Sequence, residues 1–390
     1  MFSDDDGRFC PPPDREYALA VISPGIRPSH PIYEYCARRA IKTVGEAEFG
    51  LNHYDGEYIA VTGTNGKTTT TGLIAGMTGG TACGNFGYPI TAALCDNAPR
   101  PLVCELSSFQ LRGATVSPSV AVITNITADH LDYHGSEDDY YKSKCNIVSG
   151  MKSGYLVLGE NIPPRALKFL KTDVGIVRCS VDKIVDGAYL DGGYFWFCGS
   201  RVCPRDYLHL QGSHNVENAL LAIAAAKCAG VSNTAILDAL LKAKPAAHRI
   251  ADIGVFCGKR WIDDSKSTNV SSCRAAVDTV GGSVCLIVGG RGKGFEFDGL
   301  FDGLDERVEV IAMGESALEI RDAAIRAGRV VTVVGTLGEA VAVAAETKSD
   351  TVLLSPACAS FDEFTDYADR GNKFRAYVER MGKIGKARIK

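Results

Sequence analysis

The run Gly63-Thr64-Asn65-Gly66-Lys67-Thr68-Thr69 gathers residue types that can hold a phosphate chain. Glycines at 63 and 66 free backbone N–H groups to wrap anionic oxygens, Lys67 can reach β- and γ-phosphates, and the Thr68 hydroxyl is a hard ligand for Mg²⁺. A β-branched run starting at Tyr58 enters this loop and a helical pattern leaves it, which is the order of a nucleoside triphosphate cradle. Val61 stands where the commoner G-x-x-x-x-G-K-[ST] spacing has its first glycine, so the loop is a shortened form. The competing reading is a glycine-rich strand-to-helix turn carrying a surface lysine.

Other residues are chemically capable but ambiguous alone. Glu105 follows a short apolar run and offers a hard oxygen at a strand end, as a metal ligand or an ordinary capping carboxylate; Ser107-Ser108-Phe109-Gln110 directly after it favours the metal. In Asp129-His130-Leu131-Asp132-Tyr133-His134 the two histidines are spaced to share a helix face. Gly135 follows at once and neither a cysteine nor a third histidine is near, which disfavours zinc. Asn215 and Asn218 lie on one side of a helical pattern and could read an adenine edge, or Asn215 could cap that helix. Gly289 to Gly294 has the look of a dinucleotide loop, a weak signal when alone.

These residues need elements to hold them. Apolar runs at Leu102-Val103-Cys104, Val120 to Thr124 and Tyr155 to Leu158 alternate with helical patterns, the signature of a mostly parallel sheet covered by helices. Asp191-Gly192-Gly193 between Ala188-Tyr-Leu and Tyr194-Phe-Trp-Phe predicts a hairpin inserted at the end of that sheet. A second α/β sheet is predicted from Val255-Phe256, Trp261-Ile262, Val284 to Val288, Val308 to Ala312, Val330 to Val334 and Thr351 to Leu354. Before Tyr58 only a strand at Ala18 to Ile22 and a helix near Ile32 to Arg39 are readable, too little to close a Rossmann domain.

With 390 residues and 46% hydrophobic content the chain can bury two or three cores. A net charge of −4 without a long like-charge block argues against nucleic-acid binding and against a polybasic membrane anchor, and no apolar span is long enough for membrane insertion. Fourteen cysteines are scattered from Cys10 to Cys358 without a C-x-x-C pair, with Cys104, Cys228 and Cys285 in apolar runs; they read as buried free thiols of a reducing cytoplasm.

GTNGKTTT at 63–70, CELSSFQL at 104–111, NITADHLDYHG at 125–135, GSHNVENALLA at 212–222 and AHRI at 247–250 together resemble the Mur ligases, ATP-dependent amide-forming enzymes of peptidoglycan precursor synthesis. DDSKSTN at 263–269 and LLSPACASFDEF at 353–364 resemble the branch that adds D-glutamate to UDP-N-acetylmuramoyl-L-alanine (UDP-MurNAc-L-Ala). The resemblance implies an α/β fold of three domains. They are a shortened Rossmann-like domain at 1–55, which keeps Val21 to Ile26 and Gly45-Glu46 of its second half, a central ATP-binding parallel sheet at 56–245, and a Rossmann-like amino-acid-binding domain at 246–390. A shortened first domain implies weakened capture of the uridine end.

By the same resemblance ATP and Mg²⁺ convert the substrate carboxylate into an acyl phosphate, which the amine of D-glutamate attacks. Thr68 and Glu105 would serve one Mg²⁺, and His130 and Lys144 a second, with Lys144 carbamylated by CO₂; Lys142 fits a solvated helix face better. Lys67, His130, Lys144 and Lys266 would be catalytic. Gly63, Thr64, Asn65, Gly66, Lys67, Thr68, Thr69, Asn215, Asn218, Arg249 and Asp264 would bind the nucleotide, between the second and third domains. Asn85, Ser107, Gln110, Lys266, Thr268, Lys293, Ser360 and Phe361 would bind substrate; two lysines with hydroxyl donors suit a dianionic amino acid. Arg291 departs from the pattern, since many relatives are acidic there. A monomer is expected. The alternatives are a nucleotide-binding pseudoenzyme or incomplete gene product, the third ligase of the pathway, and a folylpolyglutamate synthase. The third ligase typically has histidine at the Phe109 position and a D-N-P motif that this chain lacks, and SSFQL and SPACASFDEF count against the synthase.

Overall fold

The computed structural model describes residues 16–210, 212–244, 247–292 and 296–388. They form two compact units. One holds the chain up to Ala128 with Tyr133–His209 and Asn215–Ala243; the other holds Asp129–Asp132, Leu210–His214 and the chain from Lys244 onward.

In the first unit β1 (Leu19–Ile22) and β2 (Lys42–Gly45) make a small parallel pair flanked by the helices Pro31–Arg38 and Glu46–Asn52. The main sheet contains β3 (Tyr58–Thr62), β4 (Thr81–Gly84), β5 (Leu102–Glu105), β6 (Val120–Ile123), β7 (Tyr155–Leu158), β8 (Gly175–Ser180), β9 (Gly187–Asp191), β10 (Tyr194–Phe197) and β11 (Ser200–Pro204). Their spatial order is β11-β10-β9-β8-β7-β6-β3-β5-β4. Every residue of β3, β5 and β6 is buried, which is why these strands read as unbroken apolar runs rather than alternating ones. From β3 the chain goes outward to β4, returns through β5, and crosses to β6 on the other side of β3. That reversal leaves a crevice at the carboxyl end of β3, where open α/β sheets place their ligands.

The hairpin expected at Asp191 to Gly193 is present, with Gly192 at φ 55° and Gly193 at φ 77° carrying the turn between antiparallel β9 and β10. It is not a separate insertion. Arg178 opposite Gly187 pairs β8 with β9 in parallel, so the hairpin continues the central sheet and covers the backbone that β8 would otherwise leave exposed at an edge.

The second unit contains β12 (Ala251–Phe256), β13 (Lys259–Asp263), β14 (Val284–Gly289), β15 (Val308–Met313), β16 (Val331–Val333) and β17 (Thr351–Leu354), in the order β12-β13-β17-β14-β15-β16. All its neighbours are parallel except β12 and β13. These are the six runs read from the sequence. Two apolar layers pack on the two faces, one around Cys273, Leu286 and Leu300, the other around Trp261, Ile287 and Phe374.

The thirteen described cysteines are free thiols, and Cys104 and Cys285 are buried as expected. Cys228 is only partly buried because it ends the Ser213–Cys228 helix, and Cys95, Cys198 and Cys257 are exposed, which corrects the reading of uniformly buried thiols. Among the described residues no helix is long and apolar enough to cross a membrane.

Candidate active site

Strand β3 ends at Thr62, and the next four residues turn into the Lys67–Thr78 helix. Gly63 has φ 149°, and a Cβ there would fall 1.9 Å from Thr124 Oγ1. The loop is held from the neighbouring β6 end. Thr64 N donates to Asn125 O at 2.9 Å, Asn65 N donates to Asn125 Oδ1 at 2.9 Å, and Thr124 Oγ1 donates to Asn65 O at 2.6 Å. The helix starts from Gly66 in the left-handed region at φ 80°, and no side chain caps it. Its first N–H groups are therefore available to an anion, reinforced by the helix dipole.

Lys67 Nζ donates to Gly63 O and Thr64 O, each at 2.9 Å. Lys144, on the Glu137–Cys145 helix, donates from Nζ to the same Gly63 O at 2.6 Å and is buried, whereas Lys142 is exposed. Two ammonium groups thus share one carbonyl oxygen beneath the phosphate loop. Lys144 also lies over the Tyr140 ring at 4.7 Å, and the Tyr140 hydroxyl meets Thr64 Oγ1 at 2.8 Å. Ser136 caps this helix and Glu137, Asp138 and Asp139 fill its first turn, matching the dipole and fixing where Tyr140 and Lys144 emerge.

Glu105 is the last residue of β5, opposite Val61 of β3 and Gly84 of β4. Its side chain is buried and accepts a 2.7 Å hydrogen bond from Asn85 Nδ2. With the buried Thr68 hydroxyl it supplies hard oxygen donors of the kind magnesium takes, so the residues present fit that ion. Ser107 caps the short Ser108–Leu111 helix in a reciprocal capping box with Gln110: Gln110 N donates to Ser107 Oγ at 3.2 Å, and Ser107 N donates to Gln110 Oε1 at 2.9 Å.

The Ser213–Cys228 helix begins two residues before Asn215, so Asn215 does not cap it. Asn218 Nδ2 donates to Asn215 Oδ1 at 3.2 Å, which puts both amides on one side. Asn218 Oδ1 stands 2.2 Å from where a Gly66 Cβ would be, so this amide is packed directly behind the phosphate loop.

The remaining expected residues belong to the second unit. His130 has φ 54°, with its Nε2 3.7 Å from Asp129 Oδ2. The helix that follows spans only Leu131–His134, so His130 and His134 share no helix face. His248 Nδ1 lies 2.7 Å from Asp263 Oδ2, and the backbone N–H of Lys266 donates to His248 O at 3.1 Å. Lys266 Nζ is 5.0 Å from the centre of the Tyr367 ring. Thr268 is partly buried beside it in sequence, Ser360 is buried, and Phe361 is 61% exposed at the end of its segment. Lys293 lies outside the described residues. Arg291 forms a bidentate pair with Glu315, both contacts at 3.0 Å, and exchanges backbone hydrogen bonds with Ala359.

Arg370 was not singled out from the sequence. Its guanidinium is fully buried and donates to Ser265 Oγ at 2.9 Å, Ser265 O at 2.8 Å, Cys358 O at 3.1 Å and Ala359 O at 3.3 Å. It ties the segment carrying Lys266 to the segment carrying Ser360. Burial pushes its pKa down to about 10, so it remains a cation at neutral pH.

Asp264 is buried and accepts from Ser355 Oγ at 2.7 Å and from the Ile250 N–H at 3.2 Å. Desolvation raises its pKa to about 6, against the lowering effects of Ser267, Ser355, Arg249 and the Ile250 amide. A carboxyl raised in the folded state binds its proton more tightly there than in the unfolded chain, so its contribution to stability is present at low pH and declines as pH rises from about 4 to about 6. Asp264→Asn, which keeps an acceptor for Ile250, is expected to raise the melting temperature at pH 8 and to lose that advantage near pH 4. A scan series showing no pH-dependent difference between the two proteins would remove Asp264 ionisation from the stability of this unit.

The chain is similar to known proteins along most of its length. The family model described as the Mur ligase middle domain matches residues 61–226. The UDP-N-acetylmuramoylalanine–D-glutamate ligase of Latilactobacillus sakei is 38% identical over 374 residues, covering 92% of this chain and 82% of the relative. The ligase of the same name from Streptococcus mutans is 38% identical over 93% of this chain and 82% of its own length. Among solved structures, MurC from Thermotoga maritima aligns with a TM-score of 0.64 at 22% identity, covering 94% of this chain and 86% of that one. MurF from Acinetobacter baumannii aligns with a TM-score of 0.64 at 19% identity over 87% and 79%.

Proposed function

This chain belongs to the Mur ligase family, and from that membership we propose that it is the ATP-dependent ligase joining D-glutamate to UDP-MurNAc-L-Ala, with release of ADP and phosphate. The observation that carries the reading is the pair of lysines converging on Gly63 O, with the buried Glu105 at the end of the strand that neighbours β3. Amide formation from two carboxylate-bearing substrates and a triphosphate crowds anions together, so the site must manage charge before it manages protons.

The uncapped helix start and the Gly63–Thr68 backbone bind the phosphates, and Lys67 swings from Gly63 O and Thr64 O to the β- and γ-oxygens. Magnesium bound by Thr68 and Glu105 would screen the repulsion between the γ-phosphate and the incoming carboxylate. Asn85 orients Glu105. Ser107 and Gln110 exchange their mutual hydrogen bonds for contacts to the muramoyl end, at small cost because each already presents a donor and an acceptor. Lys266, Thr268 and Ser360 hold the carboxylates of D-glutamate, with Lys293 as a further cation on the same substrate. Arg249 and Asp264 are assigned to the nucleotide.

Lys144 is assigned as a carbamate. Neutral Nζ adds to CO₂, a proton leaves, and the cation beside Lys67 becomes an anion that attracts it and that would help hold a metal. ATP as co-substrate suits a cytoplasmic enzyme. Release of ADP that requires both UDP-MurNAc-L-Ala and D-glutamate, with a product heavier by one glutamyl residue in mass spectrometry, is the expected result. Nucleotide hydrolysis indifferent to D-glutamate, or transfer of a different amino acid in preference to it, overturns the reading.

A further inference from the structure

The buried Ser108 and His134, with the partly exposed Asp139, form a chain that the mechanism above does not use. Ser108 Oγ is 3.0 Å from His134 Nε2, and His134 Nδ1 faces Asp139 Oδ2 at 3.5 Å, an ion-pair contact rather than a formed hydrogen bond. The order serine, histidine, aspartate is that of a hydrolytic triad, but Ser108 is 3% exposed and the His134 side chain is 0% exposed, leaving no space for an acyl group. The imidazole is enclosed by rings: Tyr140 at 5.3 Å, Tyr133 at 5.1 Å and Phe109 at 5.6 Å between centroids.

Its neighbours connect it to both halves of the reacting site in this unit. Ser108 opens the helix capped by Ser107 and Gln110. Asp139 is on the helix that bears Tyr140 and Lys144, and Arg112, just past the end of the Ser108–Leu111 helix, pairs with the same Asp139 oxygen at 3.2 Å. An ionised aspartate only accepts, so Nδ1 carries the proton and Nε2 is left to accept from the Ser108 hydroxyl. Burial, followed by the charge of Arg112, lowers the His134 pKa in spite of Asp139, in keeping with a neutral ring.

We propose that His134 is a positioning residue that, as the Nδ1–H tautomer, locks the Ser107–Gln110 substrate cap to the helix carrying Lys144. The proposal rests on the ligase reading for its kinetic consequence and on geometry alone for its tautomer. His134→Phe keeps the ring packing and removes both polar links, whereas His134→Gln restores an acceptor toward Ser108. His134→Phe should raise KM for UDP-MurNAc-L-Ala about tenfold, the scale of one buried hydrogen bond, with KM for ATP unchanged and His134→Gln recovering most of the loss. Unchanged KM in His134→Phe, or a rise in both KM values that follows a drop in melting temperature and is not recovered by Gln, overturns it. Independently of any activity, ¹⁵N NMR of histidine-labelled protein should show His134 neutral and protonated at Nδ1 at pH 7.5; an Nε2–H tautomer or an imidazolium overturns the proposal even if the enzyme ligates as expected. If the unaltered protein shows the tautomer but no glutamate-dependent turnover, the positioning chain stands and the ligase reading falls.

Discussion

Lys144→Ala should lower turnover by about 10²- to 10³-fold while leaving the fold and ATP binding in place, the loss expected for one preorganised electrostatic group. Gly63 O would still accept from Lys67, so the substitution strands no buried acceptor and costs stability only through the space left by the aliphatic stem, about 1–3 kcal/mol. That space opens beside Tyr140 and the phosphate loop, and a small carboxylate can occupy it. Acetate or formate at tens of millimolar, roughly the range for weak small-ligand binding, should therefore restore part of the rate by replacing the carbamate. Full activity of the alanine variant in carbonate-free buffer would take Lys144 out of the mechanism.

The second large effect is expected at Arg370. Arg370→Met should destabilise the unit from Lys244 onward by about 3–5 kcal/mol, because it leaves the carbonyls of Ser265 and Cys358 buried without their side-chain donor, while Ala359 O keeps only the Arg291 N–H. Lysine cannot replace it, since a single ammonium cannot reach two segments through a planar fork. Arg370→Lys should recover less than half of the loss. Urea unfolding gives the measurement, and a Met variant within about 1 kcal/mol of the parent would mean that backbone rearrangement supplies those carbonyls with other donors.

The contrast between these two residues shows what a sequence can reveal. Lys144 was legible because an ordered motif surrounds it, and the structure separates it from Lys142 by burial. Arg370 sits in Tyr367-Ala-Asp-Arg-Gly, which reads as a polar helix start, and it is Ser265, 105 positions away, together with the carbonyls of Cys358 and Ala359 that make it an interior residue. Strands followed the same rule. Those buried on both faces, such as β3, β6 and β14, declare themselves as apolar runs. Thr81-Ala-Cys-Gly of β4 and Gly175-Ile-Val-Arg of β8 carry glycine and polar residues, and it is pairing with β5 and β7 that makes them strands. His134 was weighed only as a possible zinc ligand, because its partner Ser108 lies 26 positions away and no local pattern marks the pair.

Gly66 and Asn218 compete for one volume. An amide oxygen stands 2.2 Å from where any side chain at 66 would begin, and the backbone there already requires φ 80°. The two positions are thus an epistatic pair in an unequal sense. Shortening residue 218 clears the space, yet the left-handed backbone still penalises any L-residue at 66, so no single step leads away from glycine. Residue 218 can only become smaller, and then at the expense of the amide that pairs with Asn215, while 66 is a dead end for drift. The helix behind the loop and the loop that meets the phosphates therefore constrain each other's sequence, and a substitution at either position is read through the other.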